Sequence, residues 1–178
     1  MKTIIVIPEG LSIVASKTVP SFVYRAVLDY VAKNHRDDTI LLAPANNFGR
    51  EMSEQEAAFY YLKNLGVESI YYKTSAQRYH NSIDNIVELK KFCHQENIEL
   101  SKEIIIVCGM MHALRMKIIC KILKVHYMKI IAVHYKTVNE PIVNRLWFYK
   151  CKSIHFFYEI ASLMYLIPQL ITHSLEHN

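Results

Sequence analysis

Residues 104–115, Ile-Ile-Ile-Val-Cys-Gly-Met-Met-His-Ala-Leu-Arg, constrain the fold of this chain more than any other stretch. The unbroken apolar run Ile104 to Val107 has no polar face, so the strand it predicts is covered on both sides, as in a parallel sheet. Gly109 allows a tight turn, and apolar residues then resume at helical spacing in Met116, Ile118, Ile119 and Ile122. The pattern reads as strand, turn and helix start. His112 and Arg115 then lie on one face of the first helical turns, beside backbone N–H groups that lack intrahelical partners and carry partial positive charge. An anionic group is favoured at such a helix end.

The rest of the chain repeats this alternation. Apolar runs predict strands at 3–7, 39–43, 67–72 and 127–133, and the region from Pro8 to Lys17 reads as a connection of no assigned structure. Thr18 reads as an N-cap with Pro20 in the first turn of a helix to about Asn34. Ser53 and Glu56 form a capping box opening a helix to Leu65, which Gly66 stops. Asn81 or Ser82 caps a helix to about Glu96. Pro141 or Asn144 opens a helix through Tyr149, and a further apolar helix runs over about 154–166. Strands separated by helices imply an α/β domain with a mainly parallel sheet of about five strands and helices on both faces. It is a single domain over 1–178, with 141–178 as a C-terminal helical extension packed on it. Right-handed crossovers place all strand C-termini on one edge, where such folds bind ligands, so Ser53, Ser82 and His112 are expected to face a common edge.

At 178 residues and 52% hydrophobic, the chain can bury a full core. The net charge of +5 is dispersed, without the basic stripe or zinc spacing of a nucleic-acid binder, and points to a small anionic partner. Cys93, Cys108, Cys120 and Cys151 form no Cys-x-x-Cys pair and fit reduced thiols of a cytoplasmic protein. The apolar run before Pro8 is too short for a signal peptide. Residues 153–171 are rich in apolar and aromatic side chains but are interrupted by His155, Glu159 and Pro168. They read as a buried or partner-facing helix, with no transmembrane segment, and make a homodimer through the aromatic-rich C-terminal helices the expected assembly.

Candidate site residues follow from the loops after the strands. His112 is the candidate catalytic residue, because its side chain suits proton transfer near neutrality. Candidate ligand-binding residues are Arg25, Asn46, Glu56, Lys73, Ser75, Asn81, Ser82, Asp84, Asn85 and Arg115. Each has a structural alternative: Arg25 as a surface cation, Glu56 as a cap, Asn81 or Ser82 as the cap of the next helix, Arg115 as a salt-bridge partner between helices. If Arg115 serves the ligand, Arg115→Lys weakens binding and leaves stability within about 1 kcal/mol; if it pairs between helices, stability falls and affinity holds. No P-loop, GxGxxG, nucleophile elbow or His-Glu-x-x-His motif occurs, and His80, His94, His126, His134 and His155 show no i, i+4 pair, so no metal is expected.

In order and spacing, Glu56-Ala57, Leu62 with Gly66-Val67, Ser75, Asn81-Ser82-Ile83-Asp84-Asn85, and the run from Ile104 with His112-Ala113-Leu114-Arg115 resemble the bacterial SanA/ElyC/YdcF family. Its pattern runs Ser-Glu-Ala, Gly-Val-Pro, Ser-x-x-Thr-x-Glu-Asn, and a strand ending near His-x-x-Arg. The resemblance covers residues 53–115, with further support from Arg25-Ala26 and Phe157-Tyr158-Glu159. It implies a Rossmann-like three-layer domain with a polar pocket formed by these motifs. Members are linked to envelope biogenesis and vancomycin exclusion or, for YdcF, to S-adenosylmethionine. The chain departs from the pattern: Ala43-Pro44-Ala45 stands for Ser-Gly-Gly, Ser82 for Thr, Asp84 for Glu, Gln55 precedes Glu56, and the membrane anchor of SanA and ElyC is absent. Losing the paired glycines removes a flexible backbone cradle.

The leading expectation is a cytoplasmic protein or enzyme, a transferase or hydrolase, acting on an anionic nucleotide-type or sugar-phosphate metabolite. Arg25, Lys73 and Arg115 would supply charge, and Ser75, Asn85 and His112 hydrogen bonds. Two alternatives stand beside it: an S-adenosylmethionine-binding protein, in which a carboxylate and an apolar slot meet the sulfonium, and a non-catalytic interaction protein with a vestigial pocket.

Overall fold

Residues 2–72, 81–98, 103–143 and 148–176 are described by a computed structural model. In chain order the elements are β1 (Thr3–Val6), β2 (Leu11–Val14), β3 (Lys17–Pro20), α1 (Phe22–Asn34), β4 (Thr39–Leu42), α2 (Glu54–Asn64), β5 (Ile70–Tyr71), α3 (Ser82–Gln95), β6 (Ile104–Gly109), α4 (Ala113–Ile122), β7 (Lys129–Val133) and α5 (Lys152–Glu176).

The alternation of side chains along the apolar strands builds the layers. Ile4, Val6, Ile40, Leu42, Ile105 and Val107 meet α1 and α2 on one face, while Ile5, Ile7, Leu41, Ile104, Ile106 and Cys108 meet α3 and α4 on the other. Both faces are dry, which is why these strands read as continuous apolar runs. The five-stranded sheet has the order β5-β4-β1-β6-β7, and every pairing in it is parallel. This is a Rossmann-like three-layer α/β fold. The chain leaves β1 for β4 and β5 on one side, then returns to β6 on the other, so the topological switch lies between β1 and β6.

The connection after β1 holds structure that the sequence pattern does not reveal. β2 and β3 form a separate antiparallel hairpin whose turn residues Ala15 and Ser16 have φ of 48° and 62°. Thr18 therefore lies in a strand, and the N-cap of α1 is Ser21, whose Oγ accepts the Tyr24 N–H at 3.1 Å. The segment after β7 returns across this hairpin: Ile13 donates to the Pro141 carbonyl at 3.0 Å and Val143 to that of Leu11 at 2.9 Å. Glu140 fastens it, accepting from Ser12 Oγ, the Phe22 N–H and Arg25. Residues 144–147, within the helix expected through Tyr149, lie outside the described residues.

α5 packs against α4 and sends Leu166 and Leu170 into the core on the α3–α4 face. The stretch Lys152–Thr172 has the length and apolarity to cross a membrane, with 22% of it buried in the molecule. Its polar residues His155 and Glu159 are buried in protein contacts.

Candidate functional site

The site begins where β1 ends. Gly10 has a φ of 90°, a left-handed conformation that glycine adopts without strain, and this turn aims the preceding Glu9 side chain inward. Ser21 Oγ donates to the Glu9 carbonyl at 2.6 Å and its N–H to the Gly10 carbonyl at 2.9 Å, so the cap of α1 also holds the turn. The Glu9 carboxylate, fully buried, accepts the Gly109 N–H at 2.6 Å, tying the ends of β1 and β6 together across the switch point. A Cβ at Gly109 would stand 3.0 Å from Val23 Cγ1 and 3.1 Å from Glu9 Oε1, so a larger residue there would push on the Glu9 carboxylate.

Glu9 also meets His112, the residue before α4. His112 Nδ1 lies 3.2 Å from Glu9 Oε1, while its Nε2 lies 3.2 Å from Ser82 Oγ and 2.8 Å from Arg115 Nη2. A guanidinium only donates, so Nε2 is the accepting nitrogen and Nδ1 carries the proton toward Glu9. The result is a buried line, carboxylate to imidazole to serine hydroxyl, in which the carboxylate fixes the ring's tautomer. Arg115 is itself held by α5, its Nε 2.9 Å from Glu159 Oε2 and its Nη2 3.2 Å from Glu159 Oε1.

Ser82, His112, Arg115 and Glu159 face a cavity of about 430 Å³, with Glu9 behind His112. Its other walls are the aromatic rings of Phe48, Phe148, Tyr149, Tyr158 and Tyr165, with Phe148 and Tyr158 stacked at 3.8 Å between centroids. Glu54 also lines it, its oxygens accepting the Gly10 N–H at 2.6 Å and the Asn46 N–H at 3.0 Å. Burial pushes the Glu54 carboxyl up to about 7 and the Glu9 charge adds to this, against the pull of the two backbone N–H groups. Glu159 moves the other way. Burial works to raise it, but a hydrogen bond from His155 and the charge of Arg115 outweigh burial and hold it below the usual carboxylate range. Tyr149 is buried and close to Glu9, Glu159 and Glu54, which keeps its phenol protonated as a donor to Glu9 Oε2 at 3.4 Å.

Of the residues proposed from sequence, Asn46, Asn81, Ser82, Asn85, His112 and Arg115 line this cavity. Asn81 is also the N-cap of α3, its Oδ1 accepting the Ile83 and Asp84 N–H groups, and Asp84 closes the capping box by accepting the Asn81 N–H at 3.0 Å. With its amide nitrogen facing acceptors, Asn85 donates to the Pro44 and Asn81 carbonyls at 2.9 Å each. Glu56 closes the box of α2 by accepting the Ser53 N–H at 2.7 Å, and it does not line the cavity. Arg25 is away from the cavity as well, held by Glu140 at 2.5 Å and the Pro20 carbonyl at 2.7 Å. Lys73 and Ser75 lie outside the described residues. Sequence reasoning missed Glu9, Glu54 and Glu159. For Glu9 the signal was Pro8-Glu9-Gly10, a turn after a buried strand, which places an acidic residue at the edge where ligands bind, and Glu159 stands in the Phe157-Tyr158-Glu159 stretch that supports the resemblance.

Among the described residues no group of three or more His, Cys, Asp or Glu side chains is arranged to hold a metal ion. Cys93, Cys108 and Cys120 are buried free thiols and Cys151 an exposed one. In comparisons with known proteins, no family model, curated protein or solved structure matches the chain.

Proposed function

We propose that the chain is an enzyme or enzyme-like protein that takes a small nucleotide-type or sugar-phosphate metabolite at the carboxyl edge of the sheet, with His112 as the proton-transfer group. The observation that carries this reading is the meeting of Ser82, His112 and Arg115 on one cavity walled by aromatic rings. Flat rings suit a base or a sugar face, and the Arg115 fork suits a phosphate or carboxylate. The same residues carry the resemblance to the SanA/ElyC/YdcF family, and on motif order we group the chain with it. The free thiols support a reducing, cytoplasmic setting.

A second reading has its own support. Glu54 and Glu159 bring carboxyl groups to the aromatic lining, an environment that favours a cationic nucleoside such as S-adenosylmethionine. Calorimetric titration with ADP, UDP-glucose and S-adenosylmethionine separates the two. The leading reading expects an anionic probe to bind and to lose at least about tenfold affinity in Arg115→Gln, roughly 1.4 kcal/mol. The second expects S-adenosylmethionine to bind and to weaken in Glu159→Gln. Failure of every probe to bind the folded protein would remove both.

We also propose that α5 pairs with a second copy of itself. Phe157, Ile160, Met164, Ile167 and Ile171 are all exposed and recur at alternating steps of three and four residues, the spacing of a helix–helix seam. The stripe carries no charged residue, so its complement is another apolar stripe.

A further inference from the structure

We propose that Ser82 is a nucleophile and that the chain hydrolyses a carboxylic ester, with Glu9, His112 and Ser82 acting as a relay. This rests on the reading of the cavity as a metabolite site and names the reaction there. The three side chains come from positions far apart in sequence and meet in the order a nucleophilic relay requires: Glu9 Oε1 is 3.2 Å from His112 Nδ1, and His112 Nε2 is 3.2 Å from Ser82 Oγ. All three residues are at least nine-tenths buried, so no bulk water competes for these contacts. Ser82 nonetheless lines the cavity, where a substrate can reach its hydroxyl. A cap does not explain it, since Asn81 already caps α3 and satisfies the Ile83 and Asp84 N–H groups.

The oxyanion has donors as well. The Ser82 N–H is the first of α3 and has no acceptor among the described residues, and Arg115 Nη2 lies 2.8 Å from the same imidazole nitrogen that faces Ser82 Oγ. Ser82 Oγ and Arg115 Nη2 both approach the Nε2 lone pair. A substrate carbonyl draws the guanidinium to its own oxygen and leaves Nε2 to the serine.

The step then balances. Ser82 Oγ bonds to the carbonyl carbon as its proton passes to His112 Nε2, and the carbonyl π pair moves onto oxygen beside the Ser82 N–H and Arg115. Collapse restores the carbonyl and breaks the bond to the leaving alkoxide, which takes the proton from Nε2. Water then attacks the acyl-serine by the same path, its proton going to Nε2 and returning to Ser82 Oγ as the acid leaves. Glu9 keeps its contact with Nδ1 throughout and positions the ring.

The test uses the full chain with a fluorophosphonate probe, read by intact mass and peptide mapping, and with p-nitrophenyl acetate, read as a pre-steady-state burst. The expected result is one phosphonyl adduct on Ser82 and a burst equal to the protein concentration. Labelling is abolished in Ser82→Ala and falls at least tenfold in His112→Ala and in Glu9→Gln, each checked by near-UV circular dichroism. An unmodified Ser82 in folded wild-type protein overturns the proposal, as does labelling that folded His112→Ala leaves unchanged. Nucleotide titration of the same wild-type preparation separates the two failures. Binding without labelling removes the nucleophile alone, and the loss of both removes the metabolite site with it.

Discussion

At Glu54 a carboxyl group sits among backbone N–H donors, away from water and close to a second buried carboxylate. Its ordinary value of 4.5 is raised to about 7 by burial first and Glu9 second, so the folded chain keeps a proton that the unfolded chain releases at lower pH. Stability from this group is full below about pH 4.5 and is lost as pH rises to about 7, a change on the order of 3 kcal/mol. Glu54→Gln cannot titrate. Its amide faces an N–H and costs stability at every pH, but the gap between wild type and variant should narrow from pH 5 to pH 8 in thermal melts. A gap that stays constant would show that Glu54 ionises as an ordinary carboxyl. Arg115 carries a second residue-scale prediction. Its ion pair with Glu159 joins α4 to α5 while the same side chain lines the cavity, so both roles weighed from sequence have physical support. Arg115→Lys is expected to lose about 1–3 kcal/mol, because a buried charge pair loses its fork geometry, and also to weaken ADP binding at least tenfold. Glu159→Gln serves as the control: if it matches the stability loss and neither variant changes affinity, Arg115 is a clamp alone. Arg115 and His112 were legible as site residues because a strand, a glycine turn and a helix start fixed their place by local pattern. Glu9 was not, since its partners Gly109 and His112 lie about a hundred residues away and only the β1–β6 pairing brings them near.

Among the elements, α5 is the one whose surface the rest of the molecule leaves unexplained. Phe157, Met164 and Ile171 are 68%, 69% and 53% exposed, and they fall one heptad apart. Paired with a copy, this stripe would be removed from water at about 25 cal/mol per Å². The purified wild type is expected to be a dimer by light scattering, and Met164→Glu a monomer with an unchanged circular dichroism spectrum. A monomeric wild type that floats with lipid vesicles would instead give this face to a membrane surface. The helices were largely readable because their caps are local chemistry: the Ser53–Glu56 box forms as the spacing predicts, and Asn81, one of the two caps expected for α3, closes a second box with Asp84. The β2–β3 hairpin was not readable. Its turn uses Ala15 and Ser16 at positive φ where Asn-Gly or Asp-Gly is the usual signal, and its strands of four residues carry too short a pattern to declare themselves. That hidden hairpin displaced the expected cap from Thr18 to Ser21, which in turn holds Glu9.

For the whole molecule, one sheet supplies the inner wall of both major apolar clusters, so neither can melt alone. Ile106 and Val107 are adjacent, fully buried and on opposite faces. Ile106→Ala should cost about 2–5 kcal/mol and Val107→Ala somewhat less, each lowering the midpoint of one common transition seen alike by near- and far-UV circular dichroism. Two separated transitions in either variant would show that the faces fold independently. The parallel topology was legible because strands covered on both sides alternate with helices long enough to cross over, whereas the cavity's far wall, supplied by Phe148 and α5, depends on a return of the chain that no local pattern announces. α5 contributes Tyr158, Glu159, Ser162, Tyr165 and Leu166 to the lining and also carries the exposed apolar stripe, so the ligand and the second copy proposed above would act on a single helix. If pairing of α5 tightens ligand binding, thermodynamic reciprocity requires that a filled cavity tighten the association by the same factor. On that reading, affinity measured on a dilute sample would be lower than on a concentrated one, and the amount of protein present would become part of how it responds to its ligand.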